Sequence, residues 1–310
     1  MSNLHRILLD YVALRRSLGF KLEREGQLLP DFVAYLEKSG SQVITVPLAL
    51  AWAKQSADAT PYWWAARLAM VRGFARYART IDSRTEIPPE DVLPRVRSRH
   101  QPYIYSEADI RALMDATHRV YRLRDPFRSH TYRTLIGLLA STGMRIGEAI
   151  DLDHTDLDRD QGIITVRHGK FGKSREVPLH PSTLDALLEY ARHRNQRFTH
   201  PKSSAFLLSL AATRLVYQNV HLTFLRLVEW AGLANRKPRR PRIHDLRHTF
   251  AVRTLADAYR AGLDVERQVP VLSTYLGHVA PSSTYWYLSA VPELLGVAAR
   301  RLEASLGDLP

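Results

Sequence analysis

Cysteine is absent from all 310 residues of the chain. This absence excludes disulfide bonds, thiolate metal ligands and a cysteine nucleophile. Long apolar runs are also missing, because no stretch approaches the roughly 20 residues that a membrane-spanning helix needs. The N-terminal segment is interrupted by charged side chains, unlike a signal peptide. We therefore expect a cytoplasmic protein that does not contact a membrane.

Acidic residues are few relative to basic ones. The chain has 31 Asp and Glu against 44 Lys and Arg, which gives a formal net charge of +13. The basic residues recur along the whole chain, and this distribution favours a surface that lies along a polyanion, most simply nucleic acid. A basic but inert surface is the alternative. The length of the chain favours two domains over one.

The first part of the chain predicts a small helical domain. Apolar residues at helical spacing indicate four short helices, the last of them in PYWWAARLAMVRGFARYART. Prolines and a run of charges then predict a linker. The predicted segments are a helical domain at 1–85, a linker at 86–103 and a second domain at 104–310.

The second domain is predicted to be mostly α-helical with a small antiparallel β-sheet. Ser106 and Asp109 have the spacing of a capping box at the start of a helix. The segment GIITVRHGKFGKSREVPL predicts a hairpin, in which the strands IITVR and REVPL are joined by a turn rich in Gly and Lys. Helical patterns flank this hairpin on both sides.

Arg145 follows a glycine turn at the predicted start of a helix in STGMRIGEA. A guanidinium in this position can be held rigidly and point into a cleft. Glu148 lies on the same helical face and can orient Arg145 or cap the helix, although a plain surface ion pair is the alternative. Lys170 and Lys173 lie in the hairpin turn, where a lysine can reach a ligand and donate a proton, or form only a solvated basic loop.

His244, Arg247 and His248 share one side of a helix in IHDLRHTFA. The two histidines have the spacing of metal ligands, but Asp245 stands where the zinc protease motif has Glu, and no thiolate is available. We favour an anion site, with Arg247 as a bidentate clamp and His244 as a hydrogen-bond donor.

The segment LGHVAPSSTYWYL contains His278 and two tyrosines, Tyr285 and Tyr287. Gly277 allows a tight turn before His278, and the Ser and Thr residues can cap the helix that carries the tyrosines. On a helix the two tyrosines point about 200° apart, so only one of them can face a common pocket. A packed aromatic helix is the alternative.

Together these clusters suggest one pocket with two arginines, two histidines, a lysine and a tyrosine. Two arginines suit the non-bridging oxygens of a phosphodiester, whose charge concentrates in a pentavalent transition state. A nucleophile without a metal must be an alcohol or phenol activated by its neighbours, and a lysine can protonate the leaving alkoxide. The sequence has neither a carboxylate cluster for two-metal hydrolysis nor a Gly-rich phosphate loop, so no metal or other cofactor is expected.

The order of these residues resembles the tyrosine site-specific recombinases, the lambda-integrase-like family that includes Xer-type recombinases and phage integrases. The resemblance rests on TGMRIGEAIDLDHTDLD, VRHGKFGKSREVPL, HDLRHTFA and LGHVAPSSTYWYL, and it covers about the last two-thirds of the chain. The last of these segments is most similar to recombinases of transposon-type mobile elements. The resemblance implies a tyrosine-recombinase catalytic domain preceded by a helical, SAM-like core-DNA-binding domain.

The resemblance also implies a role for each matching residue. The residues that match the catalytic set of the family are Arg145, Lys170, His244, Arg247, His278 and Tyr287. Tyr287 is the implied nucleophile, because the family has this tyrosine nine residues after the second histidine. Lys170 is the implied general acid, with Lys173 as the second candidate and Glu148 as a supporting acidic residue.

By this resemblance the protein cuts one DNA strand through a 3′-phosphotyrosine, frees a 5′-hydroxyl and rejoins the strand to a partner duplex through a Holliday junction. The implied partners are double-stranded recombination sites in the nucleoid and a homo-tetramer on paired sites, alone or with other recombinases. The implied task is integration, excision or transposition of a mobile element. A type IB topoisomerase and an inactive DNA-binding relative are the alternatives.

Three expectations concern parts of the chain outside the pocket. The basic residues predicted to bind DNA are Arg67, Arg72, Arg76, Arg239 and Arg240. The connection between HDLRHTFA and YLGH is longer than is usual in the family, and it can extend a helix or add a loop. The C-terminal segment LLGVAARRLEASL is amphipathic and resembles the element that packs on a neighbouring protomer.

Overall fold

The chain divides into two compact units, Met1–Arg99 and His100–Pro310, and the division falls within the segment predicted as a linker. A computed structural model describes residues 3–55, 59–93, 101–120, 126–167, 174–237, 239–278 and 284–285. Among these residues the first unit contains only helices and the second contains helices and a small sheet.

The first unit is built from the four helices that the apolar spacing predicts. These helices are α1 (Asn3–Ser17), α2 (Glu25–Lys38), α3 (Val46–Lys54) and α4 (Pro61–Ile81). The start of α4 is set locally, because the side chain of Thr60 accepts a hydrogen bond from the backbone N–H of Trp63 and Pro61 occupies the first turn. Phe32, Trp52 and Phe74 are fully buried between the helices and form the centre of the core.

The first part of the predicted linker packs against the first unit. Ile87 and Leu93 contact its apolar core. The side chain of Arg72 donates hydrogen bonds to the carbonyl oxygens of Pro88 and Pro89, at 2.7 and 2.6 Å. Residues 86–93 therefore belong structurally to the helical unit, because their apolar side chains and prolines complete its surface.

Helices make up most of the second unit. The described helices are α5 (Glu107–Ala116), α6 (Phe127–Thr142), α7 (Ile146–Asp151), α8 (Pro181–Arg197), α9 (Tyr217–Trp230), α10 (Asp245–Arg260) and α11 (Val265–Leu276). The predicted capping box of Ser106 and Asp109 begins α5. Helix α6 packs against α5, α8 and α10 and so lies at the centre of the unit. Over the described part of the chain, no helix combines the length and the apolar character needed to cross a bilayer.

The sheet has three antiparallel strands in the order β1 (Leu157–Asp158), β2 (Ile163–Val166) and β3 (Arg175–Pro178). The two strands of the predicted hairpin are β2 and β3, with Val166 opposite Arg175. The turn that holds Lys170 and Lys173 lies outside the described residues. Strand β1 was not predicted, because two residues are too few to show an alternating pattern.

The longer connection after HDLRHTFA forms a helical hairpin. Helix α10 continues to Arg260, Gly262 takes a left-handed conformation with φ of 75°, and the side chain of Asp264 caps α11. Apolar residues of both helices form a small core of their own, which includes Leu255 and Leu272. Helix α11 then ends at the left-handed Gly277, and His278 is the next residue, so the hairpin sets the position of His278.

Candidate active site

Arg145 is fixed at the N-terminus of α7 by the residues around it. Its backbone N–H donates to Glu148 Oε2 at 2.9 Å, and its Nη1 donates to Glu148 Oε1 at 2.8 Å. Its Nη2 donates to the carbonyl oxygen of Gly277 at 2.9 Å. Glu148 therefore both caps the helix and orients the guanidinium, and the turn at Gly277 supports the other side of Arg145.

A second arginine, which the sequence analysis did not single out, completes this arrangement. Arg175 at the start of β3 donates to both carboxylate oxygens of Glu148, at 3.0 and 2.8 Å, and from Nε to the carbonyl oxygen of Tyr275 at 2.8 Å. Burial alone would raise the pKa of Glu148, but the hydrogen bonds and charges of Arg175 and Arg145 lower it to about 2. The position of Arg175 directly after the lysine-rich turn is the only sequence signal that could have indicated it.

Arg247 lies on the first turn of α10 and is buried, with 2% of its surface exposed. Its Nη1 donates to the carbonyl oxygen of Gly143 and its Nη2 to that of Leu276, each at 2.8 Å. Gly143 can accept this bond because it takes a left-handed conformation, with φ of 61°, where a Cβ would lie 2.6 Å from Phe250 Cδ1. Arg247 thus connects the turn before Arg145 to the turn before His278.

Three histidines lie close to these arginines. The rings of His244 and His248 meet edge to face with centroids 4.8 Å apart. His278 Nδ1 lies 2.6 Å from Thr284 Oγ1, which restrains its ring. Among the described residues, no set of three or more ligand-type side chains has the arrangement of a metal site.

The histidines are held neutral by their surroundings. The pKa of His278 is lowered to about 4. Desolvation by burial is the main cause, and the positive charges of Arg247 and Arg145 add to it. Protein surrounds much of the His244 ring although the residue keeps an exposed edge, and desolvation with the charge of Arg247 lowers its pKa to about 4. Desolvation and the charge of His244 lower the pKa of His248 to about 3. Neutral imidazoles can exchange protons and hydrogen bonds with an anion without adding to the repulsion between the arginines.

The structure brings five predicted site residues together from three separate segments. The five residues are Arg145, Glu148, His244, Arg247 and His278. Both arginines act electrostatically on both of the histidines, and the arginines share the backbone turns at 143 and 276–277. Three other predicted site residues, Lys170, Lys173 and Tyr287, lie outside the described residues. Tyr285 is described and is 45% exposed.

Two arginines predicted to contact DNA make contacts inside the first unit. Arg67 is 7% exposed, and its guanidinium lies 3.8 Å over the ring of Trp52. Arg72 is 6% exposed and bonds the carbonyl groups of Pro88 and Pro89. Both side chains lie on the face of α4 that packs inward, which leaves little of either one open to a phosphate, and their contact with DNA stays a prediction. Apolar and basic residues alternate so closely on this helix that periodicity alone did not separate its faces.

The remaining predicted DNA-binding arginines have different degrees of exposure. Arg76 is exposed and pairs with Glu90 at 3.0 Å. Arg240 is exposed and bonds Glu229 at 2.9 Å and the carbonyl oxygen of Leu225. Arg239 is half-buried. The exposed pairs are weak in water, so Arg76 and Arg240 can exchange a carboxylate for a phosphate at little cost.

Two arginines and two histidines of lowered pKa, on a mostly helical domain with a three-stranded sheet, define the class of sites that can bind the non-bridging oxygens of a phosphodiester. The sequence identifies the family. Residues 104–293 match the model of the phage integrase family, and the chain belongs to that family.

Relatives of known name and structure agree with this assignment. A putative integrase/recombinase of Sinorhizobium fredii, y4rB, is 44% identical over 99% of this chain and 99% of its own. The Tn1549 transposon integrase in complex with transposon right end DNA has a TM-score of 0.65 and 18% identity, covering 96% of this chain and 99% of that one. A lambda integrase tetramer bound to a Holliday junction has a TM-score of 0.62 and 16% identity, covering 92% of this chain and 76% of that one. The two solved structures share the fold of this chain.

Proposed function

We propose that this protein is a site-specific DNA recombinase that cleaves and rejoins strands through a 3′-phosphotyrosine on Tyr287. The observation that carries the proposal is the convergence of Arg145 and Arg247 on the turns at 143 and 276–277, next to two histidines held neutral. Such a site neutralises the non-bridging oxygens of one phosphodiester. Family membership and the integrase and recombinase names of the relatives favour recombination over the topoisomerase and inactive alternatives.

In the proposed reaction the phenolic oxygen of Tyr287 attacks the phosphorus, and the bond from phosphorus to the 5′-oxygen breaks. The leaving 5′-oxygen takes a proton from Lys170, with Lys173 as the second candidate, and the phenolic proton passes to a neutral imidazole of the site. The two arginines stabilise the extra charge of the pentavalent transition state. Attack of a 5′-hydroxyl from a partner duplex reverses these steps and joins the new strand. The bond energy is kept in the phosphotyrosine, so the cycle consumes no ATP.

We extend the proposal to assembly and biological role. Strand exchange between two duplexes needs two cleaved sites held together, which fits a homo-tetramer on paired recombination sites, alone or with other recombinases. The Holliday-junction complex of lambda integrase and the transposon-end complex of the Tn1549 integrase support this extension by similarity of fold. The proposed task is movement of a mobile element in the nucleoid.

The proposal is tested by covalent capture of DNA. A library of nicked duplexes with randomised sequence is incubated with the full chain, and duplexes that form denaturant-resistant adducts are recovered and sequenced. We expect enrichment of one sequence for the wild type, the same enrichment for Tyr285→Phe, and no adduct for Tyr287→Phe with DNA binding retained. Absence of adducts with the wild type, or adducts that persist in Tyr287→Phe, would contradict the proposal. Capture without sequence enrichment, together with relaxation of supercoiled DNA, would favour a topoisomerase.

A further inference from the structure

Arg175 makes contacts with three parts of the site at once. It is the first paired residue of β3, opposite Val166, and only Ser174 separates it from the hairpin turn. Its two terminal nitrogens bind both carboxylate oxygens of Glu148, and its Nε binds the carbonyl oxygen of Tyr275. The side chain of Arg175 is 13% exposed and that of Glu148 is 8% exposed. These bonds are therefore shielded from water and are stronger than those of a surface ion pair.

The same side chain also lies against the turn that precedes His278. A Cβ added to Gly277 would lie 2.9 Å from Arg175 Nη1 and 3.2 Å from its Cδ. Gly277 has φ of 67° and ends α11, and its carbonyl oxygen accepts from Arg145. Arg175 thus lies between Glu148, which holds Arg145, and the backbone turn before His278.

We propose that Arg175 is a positioning residue for two groups of the site. It holds Arg145 through Glu148, and His278 through the turn at 275–277, in a fixed position relative to strand β3. This inference rests on the proposed function. The hairpin, α7 and the end of α11 come from distant parts of the chain, and Arg175 lies on the hairpin strand β3 and bonds the other two. Movement of the hairpin strand is transmitted to the phosphate-binding arginine because the bonds to Glu148 are bidentate and directional.

The chemistry of this position requires arginine. A lysine has one ammonium group on a flexible stem, so it can keep a bond to Glu148 but cannot also reach the carbonyl oxygen of Tyr275 with fixed geometry. A methionine keeps most of the volume and loses every bond. We therefore expect the rate constant of strand cleavage to fall about 10-fold in Arg175→Lys and roughly 100-fold in Arg175→Met.

The test measures single-turnover cleavage of the captured duplex by the full chain at saturating protein, together with the dissociation constant for that duplex. Arg175→Lys and Arg175→Met should bind within a small factor of the wild type and cleave slowly. The double variant Arg175→Met with Glu148→Gln should cleave no more slowly than the worse single variant, because both residues act along one route. Multiplicative losses in the double variant would overturn the route through Glu148, and wild-type cleavage in both Arg175 variants would overturn the proposal.

A matched control separates positioning from general stability. Arg214 also joins a carboxylate, that of Asp153, to backbone carbonyl groups, those of Ile150 and Leu152. Arg214→Lys should lower the unfolding midpoint as much as Arg175→Lys does but leave the rate constant of cleavage close to that of the wild type. If Arg175→Lys and Arg214→Lys lost cleavage equally, in proportion to their loss of stability, Arg175 would have a structural role only. That result would overturn the proposal.

A second readout does not depend on cleavage. Amide hydrogen exchange of the full chain should become faster at 145–149 and at 272–278 in Arg175→Lys. In Arg214→Lys it should stay unchanged at 272–278, because the contacts of Arg214 lie at Ile150, Leu152 and Asp153. This pattern would support the positioning role of Arg175 even if the wild type formed no adduct. A missing adduct would count against the proposed function only. Unchanged exchange in both segments would overturn the positioning role.

Discussion

Arg72 and Arg76 lie one turn apart on α4 and occupy opposite environments. The guanidinium of Arg72 is buried and bonds the backbone of 88–89, whereas that of Arg76 is exposed and pairs with Glu90. Buried carbonyl groups that lose their donors cost about 1–3 kcal/mol, while an exposed ion pair contributes about 1 kcal/mol or less. These two residues therefore form a matched pair for testing structural and DNA-binding roles.

We predict that Arg72→Met lowers the free energy of unfolding of the first unit by about 2 kcal/mol, and that Arg76→Ala changes it by less than about 0.5 kcal/mol. Urea unfolding followed by tryptophan fluorescence measures this, since three of the five tryptophans, Trp52, Trp63 and Trp64, lie in the first unit and dominate the signal. An unchanged midpoint for Arg72→Met would contradict its structural role.

Arg247 combines a structural and a chemical task in one side chain. We predict that Arg247→Ala loses more than about 100-fold in the rate of adduct formation, because a guanidinium is removed from the phosphate site. DNA binding should largely survive, since affinity is distributed over many phosphate contacts. Gel shift and adduct assays on the captured duplex measure the two effects, with Arg260→Ala as the control on the exposed end of the same helix. Cleavage near the wild-type rate in Arg247→Ala would refute its role.

At the scale of elements, the end of α11 and the start of α10 place three histidines of lowered pKa beside two arginines. The pKa of each ring is lower in the folded chain than the ordinary value of 6.5. The unfolded chain therefore binds protons that the folded chain does not, once the pH falls below about 6.5. The stability that these rings contribute is complete above that pH and is lost as the pH falls towards 4.

We predict that the free energy of unfolding falls between about pH 7 and pH 5, and that His248→Asn makes this fall smaller by on the order of 1 kcal/mol. Partial solvent exposure of the ring keeps the effect below the full value for one proton. Urea unfolding followed by circular dichroism at several pH values measures the slope. Protonation of Glu148 acts separately and at lower pH, because its pKa is about 2 in the folded chain. An identical slope in His248→Asn and the wild type would contradict the prediction.

The local structure of the elements was largely predictable. The four helices of the first unit, the capping box of α5 and the strands of the hairpin all follow from spacing and capping residues within a few positions of each other. The sequence left two options for the connection after HDLRHTFA, an extended helix or an added loop, and did not predict the helical hairpin of α10 and α11. This hairpin depends on the left-handed Gly262 and on apolar contacts between the two helices.

At the scale of the whole molecule, the dominant property is the net charge of +13. Basic residues spread along the chain favour many phosphate contacts over a few strong ones. Each contact releases counterions, so the affinity for DNA should depend steeply on salt.

We predict that DNA affinity falls by roughly 1,000-fold between about 50 and 200 mM salt. Arg76→Ala should reduce the slope of log affinity against log salt by about one, and Arg72→Met, at temperatures where it stays folded, should leave the slope unchanged. Fluorescence anisotropy with a labelled duplex measures these slopes. A salt-independent affinity would contradict an interface dominated by phosphate contacts.

The sequence by itself determined the order and chemical type of the site residues, the excess of basic charge and most of the local elements. These properties depend only on residue identity, short-range spacing and capping residues. They were sufficient to indicate a phosphodiester site and a family, and to separate Tyr287 from Tyr285 as a prediction.

Only the tertiary structure decided which arginines lie inside and which lie outside. It buried Arg67 and Arg72, placed Arg175 between Glu148 and the backbone before His278, and held the histidines neutral. These outcomes depend on which faces of distant elements meet. They therefore depend on desolvation and on hydrogen bonds between residues far apart in the sequence, such as Arg145 and Gly277, which are 132 positions apart. A periodic pattern specifies a face of a helix, but only packing specifies what that face contacts.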